Sequence, residues 1–144
     1  MQITSKLTMA AHTVCAIDYF GGTRPVTSTF LAGSIGTSPV MVRTIMGMLK
    51  QAGIINSSKG KTGITLARPL EQITLLDLWR AVDQSDADSL FHFHENPCPQ
   101  CPVGGNIHAA LDDRLEAAQQ ALEDQLRRTT MADVEKDIRL LAAS

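Results

Sequence analysis

Aromatic residues are scarce in this 144-residue chain, which has four Phe, one Tyr and one Trp, so its core has to be aliphatic. Three cysteines cannot staple a secreted mini-protein, and only Cys98 and Cys101 stand close together. No apolar run approaches the roughly 20 residues of a membrane span. The start Met1-Gln2-Ile3-Thr4-Ser5-Lys6 lacks the charged-then-apolar layout of a secretory signal. These absences point to a soluble cytoplasmic protein without a membrane partner. With 44% hydrophobic and 19% charged residues the chain is not a disordered one, and it suffices for one compact domain or a small domain with an appendage.

Acids are missing from the front half. Residues 1–70 carry seven Lys or Arg against Asp18 alone, whereas residues 71–144 hold six basic and fourteen acidic side chains. A basic head on an acidic body suits nucleic-acid binding; the plainer reading is an uneven but solvated surface.

Helical spacing runs through Ile3, Leu7, Ala10, Ala11, Val14 and Ile17, capped at Thr4 or Ser5 and ended by Gly21-Gly22. Thr27-Ser28 offers the cap of a second, short helix stopped by Gly36, and Ser38-Pro39 the cap and first residue of a third. The third helix turns Val42, Ile45, Met46, Leu49 and Ala52 inward. Two short helices about a glycine turn have the spacing of a helix-turn-helix. Ile54–Asn56 and Ile64–Ala67 read as strands flanking a basic hairpin, that is, a wing.

Beyond Pro69, Thr74 caps a fourth helix, Leu75–Val82, with Trp79 in the core. Residues 83–102 read as a long loop of a kind usually functional or disordered. From Val103 the stripe Ile107, Leu111, Leu115, Ala118, Leu122 and Leu126 predicts a helix of about 26 residues and about 39 Å. A helix longer than the head's own diameter needs a second copy of the chain to cover it. Thr130 and Asp133 cap a last helix, free to fold back or embrace the partner. The expected architecture is mainly α with a small β-hairpin: a winged helix-turn-helix head over 1–82, a sensor-like loop over 83–102 and a helical dimerisation region over 103–144.

Leu49-Lys50-Gln51-Ala52-Gly53-Ile54-Ile55, the wing, and Leu66-Ala67-Arg68-Pro69 followed by Ile73–Leu78 and Ala81-Val82 resemble the Rrf2 family of bacterial transcription regulators over nearly the whole chain. The first six residues and the loop from Pro99 to Ile107 are similar to its YwnA-like branch. The resemblance implies a dimeric winged-helix regulator with a long dimerisation helix. Some members ligate an iron–sulfur cluster through three cysteines before that helix. This chain departs from them: the loop holds only Cys98 and Cys101, too close for the usual spacing, and Gly104 or Gly105 stands where a further ligand can fall. A standard cluster is not expected.

Laid in the major groove, the third helix would offer Ser38, Pro39, Val40, Arg43 and Thr44 to base edges. Arg43 can grip guanine bidentately, or touch only phosphate or solvent. Thr27, Ser28 and the first-turn amides of the second helix suit phosphate. Lys59, Gly60 and Lys61 form the wing tip, where ammonium groups reach backbone or minor groove. Lys6, Arg24 and Lys50 could add phosphate contacts, although the plainer reading is solvated surface charge.

In the loop, Cys101 before Pro102 would lie at the positive end of the long helix, which lowers a thiol pKa, and Cys98 could resolve its oxidation as a disulfide. His92, His94, Cys98 and Cys101 also contain the donors of a tetrahedral zinc site, although Phe91 and Phe93 alternate with the histidines as in an extended segment facing them to water. No firm cofactor or metal follows. Asp112, Asp113 and Glu116, or Cys101 with His94 or His108, do not converge on a pocket in the sequence pattern, so no enzyme is expected. The chain therefore reads as a homodimeric, sequence-specific regulator of double-stranded DNA, a repressor with a thiol-bearing loop. A winged-helix adaptor for other proteins and a metal-responsive regulator are the alternatives.

Overall fold

The computed structural model describes residues 3–57, 63–83, 85 and 89–144. Six helices and a hairpin follow in the order α1 (Ser5–Phe20), α2 (Ser28–Ile35), α3 (Pro39–Gln51), β1 (Ile55–Ser57), β2 (Ile64–Leu66), α4 (Leu75–Val82), α5 (Ile107–Arg128) and α6 (Met131–Ala142). Thr4, Thr27, Ser38, Thr74 and Thr130 each accept a first-turn N–H through the side-chain oxygen. Five of the six helix starts are therefore set by local capping chemistry.

The aliphatic core of the head joins Ala10, Val14 and Ile17 of α1, Leu31 of α2, Val42, Ile45 and Leu49 of α3, Ile54, Ile55, and Ile73 and Leu78 beside and on α4. Gly36 turns α2 into α3 at φ 83°, and its N–H and that of Thr37 both close on the Ala32 carbonyl. Only glycine adopts this left-handed geometry without strain. The hairpin pairs antiparallel, with Ile55 opposite Leu66, Asn56 opposite Thr65 and Ser57 opposite Ile64. Gly63, at φ 67°, lies so close to Val26 that a Cβ there would stand 2.6 Å from its carbonyl oxygen, while the Ile64 N–H donates to that same oxygen at 3.1 Å. The return strand is thus fastened to the entrance of α2.

Trp79 is fully buried with Leu76, and Leu7, Leu90, Leu122 and Leu126 pack on the pair. This second apolar cluster ties α5 to the head. At the far end of α5 the chain is stitched back: Leu75 N–H donates to Thr129 O, and Met131 N–H to Ile73 O. Helix α6 therefore folds back on its own chain, with Met131 fully buried and Arg139 facing Asp18 of α1 at 3.6 Å and stacking on Tyr19.

The start of the long helix departs from the expectation. Helix α5 starts at Ile107, not Val103, and spans 22 residues, about 33 Å at helical rise. Gly104 and Gly105 press against the backbones of Cys98 and Pro99, where added Cβ atoms would sit 2.5 and 2.6 Å from carbonyl oxygens. The segment is wound into turns, and Val103 is exposed outside the helix. A 3-10 turn over Leu70–Gln72, with Leu70 buried, also follows Pro69.

Glu135 of α6 is buried, accepts from Arg139 at 3.1 Å and lies beside Asp18. Burial, then the hydrogen bond and negative charge of Asp18, raise its pKa to about 7. The folded state holds this proton more tightly than the unfolded chain does, so this group's contribution to stability is greatest at low pH. It falls as pH rises from about 4.3, the unfolded value, through about 7. Glu135→Gln should abolish most of this decline and raise stability at pH 8 by about 1–3 kcal/mol, with little change at pH 4. Urea unfolding of both proteins at the two pH values checks it; an equal gain at both would remove the titration from the explanation.

Candidate nucleic-acid interface

The inward stripe of α3 is Val42, Ile45 and Leu49, all fully buried. Its helical complement, Ser38, Pro39, Val40, Arg43 and Thr44, is exposed throughout. Val40 keeps 65% of its surface, an isolated apolar side chain on a polar face. Arg43 has no hydrogen bond or ion pair among the described residues, so its guanidinium is available to a ligand. Thr44 is exposed, and its hydroxyl donates to the Val40 carbonyl at 3.1 Å. That leaves its methyl group and oxygen lone pairs to face outward.

The Thr27 oxygen accepts from Phe30 N–H at 3.1 Å and the Ser38 oxygen from Met41 N–H at 3.2 Å. Each hydroxyl serves as a cap through its lone pair and retains its hydrogen to donate outward. Ser28, half-buried, adjoins Thr27 at the same helix start. The first turns of α2 and α3 contain no acid, whereas α4 and α6 carry Asp77 and Asp133 there, in capping boxes. The positive ends of the two helix-turn-helix helices are left uncompensated, as an anion-binding surface requires.

The stacking of Arg24 and the place of Gly47 on this surface escaped sequence reading. The Arg24 guanidinium lies over the Phe30 ring at 4.0 Å, so this cation is held beside the start of α2 rather than free in solvent. Gly47 continues the exposed row of Val40, Arg43 and Thr44, with nothing within 4 Å of where a Cβ would be. Helical periodicity could have located Gly47; the Arg24 stack has no sequence spacing to give it away. The wing-tip expectations Lys59, Gly60 and Lys61 lie outside the described residues.

The match with known proteins is extensive. The model of the Rrf2 family, described as iron-dependent transcriptional regulators, matches residues 3–137. The chain is 39% identical over 132 residues to YwnA of Bacillus subtilis (strain 168), named there as a candidate HTH-type transcriptional regulator, covering 92% of this chain and 96% of that one. This chain belongs to the Rrf2 family.

Among solved structures, a transcriptional-regulator candidate from Lactobacillus plantarum superposes with TM-score 0.75 at 26% identity, covering 95% of this chain and 91% of the other. CymR of B. subtilis, titled its global cysteine regulator, shares the fold at TM-score 0.71 and 19% identity, covering 94% and 97%. Rrf2 proteins are transcription regulators rather than enzymes, and this member is a winged-helix, DNA-binding transcription regulator. The adaptor reading falls with that assignment. No described helix is long and apolar enough to cross a membrane.

In the Rrf2 chain's loop, Cys98 and Cys101 are exposed, while Cys15 is buried in α1. Cys101 is held below the ordinary thiol pKa by the N–H groups of Gly104 and Val103. The cause is local backbone and not the end of α5, which starts six residues later. The Cys98 thiol donates to Gln100 Oε1 at 3.6 Å. Burial, with Glu135 and Asp18 nearby, pushes the Cys15 thiol up to about 11. Two loop thiols do not fit the three-cysteine cluster of some Rrf2 members. Among the described residues, no group of three His, Cys, Asp or Glu converges as a metal site. His92 is exposed, whereas His94 lies against His108 of α5, ring centroids 5.1 Å apart.

Proposed function

We propose that this Rrf2 protein acts in the cytoplasm as a homodimeric repressor that reads a two-fold symmetric operator. The exposed row on α3, backed by a fully buried stripe, carries the reading. Arg43 and Val40 meet base edges, as guanidinium to guanine and methyl groups to thymine. Thr27, Ser28, Ser38 and Arg24 hold phosphates, and Pro39 and Thr44 pack along the groove wall. Lys59, Gly60 and Lys61 extend the contact from the wing. Dimerisation follows from α5, in which no residue is buried. Footprinting should then show two protected half-sites, centred about 34 Å or a multiple of it apart. A single protected half-site at saturation would contradict the dimer.

Cys101 and Cys98 form the thiol switch of this reading. An oxidant of the diamide class takes two electrons and two protons from the pair and leaves a disulfide in its place. Supporting this is the thiolate-favouring backbone around Cys101, on an exposed loop. Iodoacetamide at pH 7.5 should alkylate Cys101 at least tenfold faster than Cys15, which reacts only on unfolding. Mass mapping of the time course measures this. Diamide should change operator affinity in the parent and leave Cys101→Ser unaffected; equal responses would eliminate the switch.

A further inference from the structure

Where α1 packs against α2 and α6, its side chains are small. Ala11, Cys15 and Ala16 of α1 border the same space as Val134 and Ile138 of α6, and the room that larger residues would have filled is a cleft of about 470 Å³, open on one side. That volume falls within the roughly 300–1,000 Å³ of small-molecule sites. Cys15 and Ala16 are buried at its floor. Tyr19 and Phe20, edge-on to each other with ring centroids 4.9 Å apart, line it toward the end of α1. No residue of α5 borders the cleft, so it is separate from the apolar stripe assigned to the dimer.

Two polar features point to an occupant. The Cys15 thiol belongs to a residue only 4% exposed and makes no hydrogen bond among the described residues. It offers a soft, polarisable surface and a weak S–H donor to whatever fills the cleft. At the rim, His12 Nε2 and Ser34 Oγ are hydrogen-bonded at 2.8 Å, joining α1 to α2. Whichever of the two donates, the serine oxygen keeps a lone pair that can accept from an outside hydroxyl. Burial, then the carboxyl groups of Glu135 and Asp18, work against a negative charge on the Cys15 sulfur, and they disfavour an anionic ligand at the floor in the same way.

We propose that this cleft is an effector site for a small uncharged aromatic molecule, of one or two rings and bearing a hydroxyl group, with its ring against Cys15, Tyr19 and Val134 and its hydroxyl at Ser34. Ser34 stands in the last turn of α2, just before the Gly36 turn, and Val134 on α6, so the occupant touches both the helix-turn-helix and the helix that folds back on it. A ligand that fits one arrangement of these helices better than another shifts their equilibrium by that difference in affinity. The coupling to DNA rests on the reading of α3 given above; the binding does not.

Titration of the DNA-free full chain with para-fluorophenol, followed by fluorine NMR, tests the site. The parent should bind one molecule per chain with a Kd of about 1 mM or tighter, the range open to so small a ligand. Anionic para-fluorobenzoate should bind at least about tenfold more weakly. Ala11→Leu and Val134→Phe, which fill the cleft, should each weaken fluorophenol binding at least about tenfold, while Leu140→Ala, about half a turn round α6 from Ile138, should stay within about twofold of the parent. In the unaltered protein, nuclear Overhauser contacts should run from the ring protons to the methyl groups of Val134 and Ile138 and not to those of Leu111 and Leu115. Saturating fluorophenol should change operator affinity at least about threefold, and operator should change fluorophenol affinity by the same factor. Binding that does not saturate, contacts at Leu111 and Leu115 instead, or parent-like binding by both filled variants would overturn the proposal. Unchanged operator affinity at saturation would remove the effector role. Failure of the α3 reading shows elsewhere, as a parent that does not prefer operator to random duplex with no fluorophenol present.

Discussion

Leu111→Glu combined with Leu115→Glu is expected to halve the mass of the protein in sedimentation and to weaken operator binding at least a hundredfold. Helix α5 spans 22 residues without one buried. Leu122 and Leu126 are taken up by the Trp79 cluster, which leaves Ile107 and Leu115 half-buried and Leu111 and Ala118 exposed along the same stripe. Burying a leucine contributes about 1.5–3 kcal/mol, and two copies of the stripe facing each other bury four at positions 111 and 115 alone. Glutamate there places like charges in an apolar contact. The affinity loss follows because two linked heads bind about 10²–10⁴ times more tightly than one. The double variant should keep its helical content and its weak affinity for random duplex. An unchanged mass would mean that α5 does not hold the dimer.

Trp79→Ala carries the second large effect, a loss of about 3–5 kcal/mol of stability. Trp79 is fully buried, and Leu7 of α1, Leu90 of the loop and Leu122 and Leu126 of α5 pack against the cluster it forms with Leu76. Its removal opens a cavity where head, loop and long helix meet. Given the 5–15 kcal/mol typical of a domain, this is a large share of the total. The urea midpoint should fall, and proteolysis within residues 89–106 should accelerate because Leu90 loses its anchor. Trp79→Phe should recover more than half of the loss. A change under 1 kcal/mol for the alanine variant would show that the cluster is not where α5 is held.

The head was legible in the sequence because its signals are local. Thr27, Ser38 and Gly36 each do through their own backbone geometry what their residue type suggests, and the buried row of α3 is a plain helical period. The start of α5 was not legible, since the apolar stripe continues to Val103 without a break in period. What ends the helix at Ile107 is the packing of Gly104 and Gly105 on the backbones of Cys98 and Pro99, a contact between neighbouring turns that periodicity does not encode. The same gap led to the wrong physical cause for Cys101, whose thiol answers to the Gly104 and Val103 amides. His94 meeting His108 depends on Gln119 pinning a segment some thirty residues away in sequence, beyond any local pattern. The fold-back of α6 was one of two open possibilities, decided by the backbone bonds at Thr129 and Met131.

The central claim is that the exposed face of α3 reads base sequence. It is tested most directly by titrating operator and random duplexes over a range of salt concentrations with the parent and with Arg43→Ala. The parent should lose affinity for both duplexes steeply as salt rises, in proportion to the phosphates it neutralises. Arg43→Ala should lower operator affinity by about 1–3 kcal/mol per half-site while leaving random-duplex affinity and the salt slope nearly unchanged. Equal losses on the two duplexes would make Arg43 a phosphate contact. Full operator affinity in the variant would mean that this face of α3 does not read the sequence.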